Sequence, residues 1–534
     1  MLTFNVLLSV FIYVNTVHAA SSGFRISTSA AGHVATSATS MGDVVSTNDN
    51  DQYTVNITLG GEAFVVQLDT GSSDLWLNIT GRTLQFTNTT DLNITEGYGK
   101  GSVSGWLSFA DMTIGDFSVP NQAFVNVVDI KDMPMTSFDG ILGMAFDASV
   151  IYSVVQENWG TEAANALARS PITNLFALDP TTPNFFDVQL ARAMSPDSNN
   201  VAEGVFLISE HDDAFQNITS APMLRSLTSQ HWSLAMDSMT ANGTPFAFNA
   251  SRVPGVPTGK VAAVLDTGFS LPQIPIAAVN AIYESVPGAV YSEPYWVVPC
   301  DAAPTVVFTF GGQDIPVHPL DLTFTQVLTL PSGNTTGCLG SFQALTLDPT
   351  EFVGFDLLLG DAFLRNVYAS FNYGDYQPNT PFDGQGPFVQ LLPTTDASTM
   401  QAEFVANRTA ALALLPPTLD PATLVKLADS SDTPASSSAS SPDASSASVA
   451  GALDESTSSS SGSTDSWGKK YGTPALALLG ANLAVGVVLL GLTITMCMRS
   501  HSQSARDRYA PVGARPFKMQ QGDEEERTQL RYND

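Results

Sequence analysis

Two short segments hold the residues best suited to chemistry. Val65-Val-Gln-Leu-Asp69-Thr70-Gly71-Ser72-Ser73 is echoed by Val261-Ala-Ala-Val-Leu-Asp266-Thr267-Gly268-Phe269-Ser270. In each, an apolar run ends in a carboxylate, a hydroxyl and a glycine. The run reads as a buried strand that delivers the carboxylate at its end. The glycine permits a tight turn and the close approach of another group. The threonine can tie its loop to the opposite copy. One such triplet is ordinarily a turn. Two in the same frame imply two lobes of one ancestral unit, facing each other about a pseudo-two-fold axis.

Two carboxylates brought together by that symmetry cannot both ionise, so the pair holds one proton between its two macroscopic pKa values. One member can then act as general base on a water while the other donates to a substrate carbonyl. No metal, cofactor or covalent intermediate is required. Asp69 and Asp266 are assigned to this dyad without dividing the two roles. Other hydrolases lack their motifs here: there is no Gly-X-Ser-X-Gly and no His-Glu-X-X-His. A glycosidase could use two carboxylates but would not need a duplicated loop. Asp+Glu number 51 against 21 Lys+Arg, a net charge of −30, which argues against a nucleic-acid partner. The three cysteines have no zinc spacing.

The elements that position the triplets read as mostly β. Tyr53 to Leu59 alternates with period two, Gly60-Gly61 turns it, and Phe64 to Leu68 returns as a hairpin. Ser102 to Val128 repeats the style around Gly115-Asp116. Glu162–Arg169 and Ile276–Ser285 are the helix candidates. Each triplet has a later companion, Ile141-Leu142-Gly143 for the first and Leu358-Leu359-Gly360 for the second. These are expected to pass behind the Asp loops and pin them.

LDTGSSDLW at 68–76, GYGKGS at 97–102, FDGILGMAF at 138–146, VLDTGFS at 264–270 and LLLGDAFLRNVYASFNYG at 357–374 make the pattern specific. Over roughly Tyr53 to Leu392 the chain resembles a two-lobed, fungal-type, pepsin-like aspartic protease. The resemblance implies that Thr70, Gly71, Ser72, Thr267 and Gly268 support the catalytic loops, with the Ser72 hydroxyl on the outer oxygen of Asp69. It implies a flap at Tyr98, Gly99 and Lys100, with Trp76 holding the tyrosine hydroxyl and Phe138 lining a substrate pocket. It implies a Cys300–Cys338 disulfide and no cofactor. It also implies a monomer that cleaves proteins or peptides, with bulky apolar residues flanking the scissile bond. The competing reading is a catalytically inactive pepsin-like binding or adhesion module, whose usual mark is a lost Asp or Gly in one loop.

Three features depart from the family pattern. Phe269 stands where relatives carry Thr or Ser, so it cannot donate toward Asp266, and an asymmetric dyad is expected. Lys100 at the flap tip is expected to disfavour basic side chains in the adjoining subsite. Residues 21–51 contain Arg25 as their one Lys or Arg and no dibasic site, unlike the longer basic propeptide of many relatives.

The ends place this head on a membrane. Residues 1–20 read as a secretory signal peptide cut near Ala19 or Ala20. A pro-segment or extension follows at 21–51, then lobes at 52–225 and 226–395. A Ser/Thr/Ala-rich stalk is expected over 396–470, its part from about 431 to 467 almost wholly Ser, Ala, Thr, Asp, Gly and Pro. The apolar run 474–498 is long enough to span a bilayer, and a cytoplasmic tail with Arg499, Arg506, Arg508, Arg515 and Lys518 occupies 499–534. This describes a single-pass type I glycoprotein at the cell surface, or in a vacuolar or endosomal membrane, with sequons such as Asn56, Asn217 and Asn334. The tail is nearly charge-balanced, so the acid excess lies in the extracytoplasmic part.

Overall fold

Gly60 and Gly61 adopt φ of 56° and 87°, and this two-residue turn joins strand Gln52–Leu59 to strand Glu62–Asp69 with Leu59 opposite Glu62. A second long hairpin pairs Ser102–Ile114 with Phe117–Lys131 about Gly115-Asp116. Both turns fall where the sequence predicts them. The computed structural model describes residues 24–31, 52–99, 101–133, 138–178, 183–192, 203–330, 333–347, 354–376 and 386–431. The leader at 1–20, most of the 21–51 segment, the apolar run at 474–498, the tail and Lys100 lie outside these residues. No helix among the described residues is long and apolar enough to cross a membrane.

The repeat is visible in strand pairing. Glu62–Asp69 runs parallel to Gly140–Gly143, with Asp69 beside Gly143. Val261–Leu265 runs parallel to Leu357–Leu359, with Leu265 beside Leu359. Each companion segment therefore lies alongside its Asp strand. Its glycine is obligatory for space: a Cβ at Gly143 would sit 2.5 Å from the Asp74 nitrogen, and one at Gly360 would sit 2.8 Å from the Phe269 carbonyl carbon.

The halves are sewn together by one sheet. Phe185–Gln189 from the first half pairs with Val367–Asn372 from the second, and Leu224–Arg225 pairs with Phe388–Pro393. Phe24–Ala31, within the 21–51 segment, pairs with both Glu203–Ile208 and Gln52–Leu59. One apolar cluster joins Val66 and Leu68 of one lobe to Leu234 and Leu265 of the other, and includes Trp232 and Phe186. Cys300 and Cys338 form a disulfide in the second lobe.

The expected helices occur at Thr161–Leu167 and Ile276–Tyr283. The stalk boundary at 396 needs correction. Helices Met400–Leu412 and Pro421–Ser431 occupy the first part of the segment. Met400, Phe404, Arg408 and Leu424 are buried. Arg408 Nη2 donates to the Thr323 carbonyl at 2.7 Å, and the Thr336 hydroxyl donates to the Pro416 carbonyl at 2.7 Å. Few but well-spaced apolar residues, hidden by an Ala/Thr-rich average, dock this extension on the second lobe.

Candidate active site

The two Asp-Thr-Gly loops meet at the seam between lobes. Thr70 and Thr267 are fully buried and bonded reciprocally. The Thr70 hydroxyl donates to the Leu265 carbonyl at 2.9 Å and accepts from the Thr267 N–H at 3.0 Å. The Thr267 hydroxyl donates to the Leu68 carbonyl at 2.9 Å and accepts from the Thr70 N–H at 3.1 Å. Four hydrogen bonds thus fix one loop against the other with no water needed between them. Gln67 adds a fifth tie, its Nε2 donating to the Gly268 carbonyl at 3.2 Å.

This grip sets the carboxyls face to face. The Asp69 and Asp266 side chains are hydrogen-bonded to each other. Gly71 N–H donates to Asp69 Oδ1 at 2.9 Å, and Gly268 N–H donates to Asp266 Oδ1 at 2.8 Å. Burial, and then the Asp69 charge, hold the Asp266 carboxyl well above the usual carboxylate range. The glycines are cross-matched to the opposite acids. A Cβ at Gly71 would lie 2.5 Å from Asp266 Cγ, and one at Gly268 would lie 2.6 Å from Asp69 Cγ. The pair is nearly symmetric in its backbone donors. It differs at one side-chain position: the Ser72 hydroxyl donates to Asp69 Oδ2 at 2.5 Å, whereas Phe269 presents a ring.

Both loops and both carboxyls fall within the part of the chain that one family model matches. That model, eukaryotic aspartyl protease, matches residues 52–379. The chain belongs to the eukaryotic aspartyl protease family. The protease is 26% identical over 346 residues to major aspartyl peptidase 1 of Cryptococcus neoformans, covering 60% of this chain and 65% of that protein, just under two thirds. It is 24% identical over 358 residues to cathepsin D of Dictyostelium discoideum, covering 62% and 84%. It is 25% identical over 341 residues to pepsin A of Sus scrofa, covering 60% and 77%. The family places the protease among the aspartic-type endopeptidases, a class of hydrolases.

Around the dyad of this protease, Trp76 Nε1 donates to the Tyr98 hydroxyl at 2.7 Å, and the two rings meet edge to face at 6.4 Å. Phe138 is buried and meets the same indole edge to face, also at 6.4 Å. Gly99 lies close against Phe269: a Cβ there would stand 3.0 Å from the Phe269 ring. Lys100 lies outside the described residues.

Three residues near the dyad were not singled out by motif. Glu96 is buried, and its Oε2 accepts from the Tyr98 hydroxyl at 2.7 Å. Asp74 Oδ2 accepts from the N–H groups of Val150 and Ile151 at 2.9 and 3.1 Å, at the start of helix Val150–Trp159. His231 reaches across from the second lobe, its Nδ1 3.2 Å from the Gly71 carbonyl, and burial lowers its pKa. The signal for Glu96 was present in the alternation. Ile94 and Glu96 fall on the inward register of strand Phe86–Gly97, where an acid is out of place.

Burial pushes four carboxyls upward: Asp74 to about 6, and Glu96, Asp147 and Asp266 in the same direction. A carboxyl with a raised folded-state pKa binds extra protons in the folded state. Stability is therefore lost as pH rises from the unfolded value through the folded one. For Asp74 the window runs from 3.8 to about 6, and a shift of that size is on the order of 3 kcal/mol. Asp321 acts in the opposite sense: burial raises it, but Arg192 and Arg365 outweigh that and hold it low. Its contribution is lost only as pH falls through the acid end. Two buried histidines oppose the carboxyls over this range, since burial lowers His318 to about 4 and lowers His231 as well, and both favour the higher pH. The four raised carboxyls outnumber them, so the head should be more stable at about pH 4 than at about pH 6.5. Urea midpoints at the two values provide the measurement, and a midpoint that rises over that interval contradicts the argument.

Proposed function

We propose that the protein is an acid endopeptidase whose Asp69–Asp266 dyad activates water for attack on a peptide carbonyl. The supporting observation is the hydrogen-bonded pair of buried carboxyls at the lobe seam, with Asp266 raised by burial and by its partner. In the working state the dyad holds one proton. One carboxylate takes a proton from water while the other acid protonates the carbonyl oxygen. The tetrahedral intermediate then collapses, the amine nitrogen receives a proton, and the peptide bond breaks. Thr70, Gly71, Ser72, Thr267 and Gly268 hold the loops, and Tyr98 with Gly99 and Lys100 forms the flap over substrate. Trp76 orients Tyr98, and Phe138 backs the pocket beneath. Substrates are proteins or extended peptides, with bulky apolar residues flanking the cleaved bond.

The head is a monomer carried on a stalk from about residue 432 and anchored by the apolar run 474–498, with its leader at 1–20 directing it into the secretory pathway. The raised carboxyls suit an acidic compartment or an acidic exterior. Hydrolysis of a denatured protein at about pH 3–6, with and without pepstatin, tests the reading. Pepstatin-sensitive cleavage that fails toward neutral pH is the expected result. A folded head that cleaves nothing over this range favours the binding or adhesion module instead.

A further inference from the structure

A cavity of about 200 Å³ opens beside the first catalytic loop, and Ser72, Asp74, Glu96, Tyr98, Ser149 and His231 are among the residues that line it. It is smaller than a whole small-molecule site of ~300–1,000 Å³, and of a scale to take one side chain. Its lining is acidic. Glu96 is 4% exposed, and while its Oε2 is held by Tyr98, its Oε1 has no hydrogen-bond partner among the described residues. A buried carboxyl oxygen left without a donor is costly, and that cost falls when a ligand brings one. Asp74 directs Oδ2 at helix N–H groups and remains a second acid on the same wall. No lysine or arginine is among the described lining residues.

We propose that this cavity is a subsite for a cationic substrate side chain, a lysine or arginine, whose charged head pairs with the Glu96 carboxylate. The proposal rests on the endopeptidase reading above and names part of its substrate class. Gly71 and Ser72 form one wall of the cavity, so the residue it takes lies within a few positions of the scissile bond. The aliphatic stem would run along Tyr98 and Val150 and bring the charge to Glu96.

The groups facing Glu96 set a pH dependence. Asp69 and Asp74 oppose its ionisation, the Tyr98 hydroxyl donates to it, and His231 lines the same cavity. Burial and those charges push the Glu96 pKa upward when the cavity holds no cation. A bound cation favours the carboxylate, so uptake of lysine releases a proton and the preference strengthens as pH rises. Lys100, beside the flap tip in sequence, would act in the opposite direction.

The test uses peptides that carry lysine, norleucine or glutamate at each of three positions on either side of the cleaved bond. kcat/KM is measured at about pH 4 and about pH 6. At one position, lysine should exceed norleucine by roughly 10-fold or more at the higher pH, and by less at the lower. In Glu96→Gln that ratio should fall toward one, since glutamine keeps an acceptor for Tyr98 and removes only the charge. Should this variant misfold, the wild-type ratio and its pH trend decide alone. Ratios near one at every position, a preference for glutamate, or a lysine preference unchanged in Glu96→Gln overturn the proposal. Cleavage without basic selectivity overturns only this inference, whereas no pepstatin-sensitive cleavage of any peptide overturns the endopeptidase reading and this with it.

Discussion

Asp69→Asn and Asp266→Asn are each expected to lower kcat by ~10,000-fold or more, with the double variant little worse than either alone. On the proposed mechanism the two acids act as one unit, and the Asp69 charge is already one cause of the raised Asp266 pKa. An asparagine can neither take a proton from water nor give one to a carbonyl. It can still accept from Gly71 N–H or Gly268 N–H, the donors that orient the native carboxyls. Folding should therefore survive, and the Thr70–Thr267 ties should persist. Turnover of a denatured protein, paired with unfolding midpoints of each variant, separates lost chemistry from lost structure. Either single variant retaining activity within ~10-fold of wild type sinks the dyad assignment.

The parts of the site that were legible share one property: their signal is local. Asp69-Thr70-Gly71 and Asp266-Thr267-Gly268 sit at the ends of apolar runs, and each Gly is required where the opposite carboxyl approaches. Gly60-Gly61 and Gly115-Asp116 mark hairpins because the turn chemistry is in the turn itself. The parts that were not legible depend on distant partners. Phe185–Gln189 finds its neighbour in Val367–Asn372, across a long intervening stretch that carries no hint of the pairing. Helix Val150–Trp159 begins where Asp74, far upstream, satisfies its first N–H groups. In the sequence Glu96 is one more polar residue in a strand. Its meaning came from burial beside Tyr98 and from the acids around it. The extension at 396–431 was averaged away by composition, although four buried side chains were enough to dock it.

Gly268→Ala and Gly71→Ala should each cost ~100-fold or more in kcat/KM. The cause is volume, since neither glycine has a left-handed φ. The added methyl at residue 268 would fall on the Asp69 carboxyl, and that at residue 71 on the Asp266 carboxyl. The only relief is to move the loops apart, and a misplacement of about 1 Å is enough for a loss of this size. Overpacking should also destabilise the head by ~1–3 kcal/mol. Gly243→Ala provides the contrast. Gly243 has φ 75° with nothing within 4 Å of a Cβ, so alanine strains a turn and leaves the seam untouched. It should cost ~1 kcal/mol of stability with kcat/KM preserved. The pH profile adds a second signature. Separating the carboxyls weakens the Asp69 charge acting on Asp266, which is the next cause after burial of its raised pKa. The basic limb of whatever activity remains should therefore move to lower pH in Gly268→Ala. A limb that stays in place while turnover collapses would mean that the methyl blocks substrate rather than parting the acids.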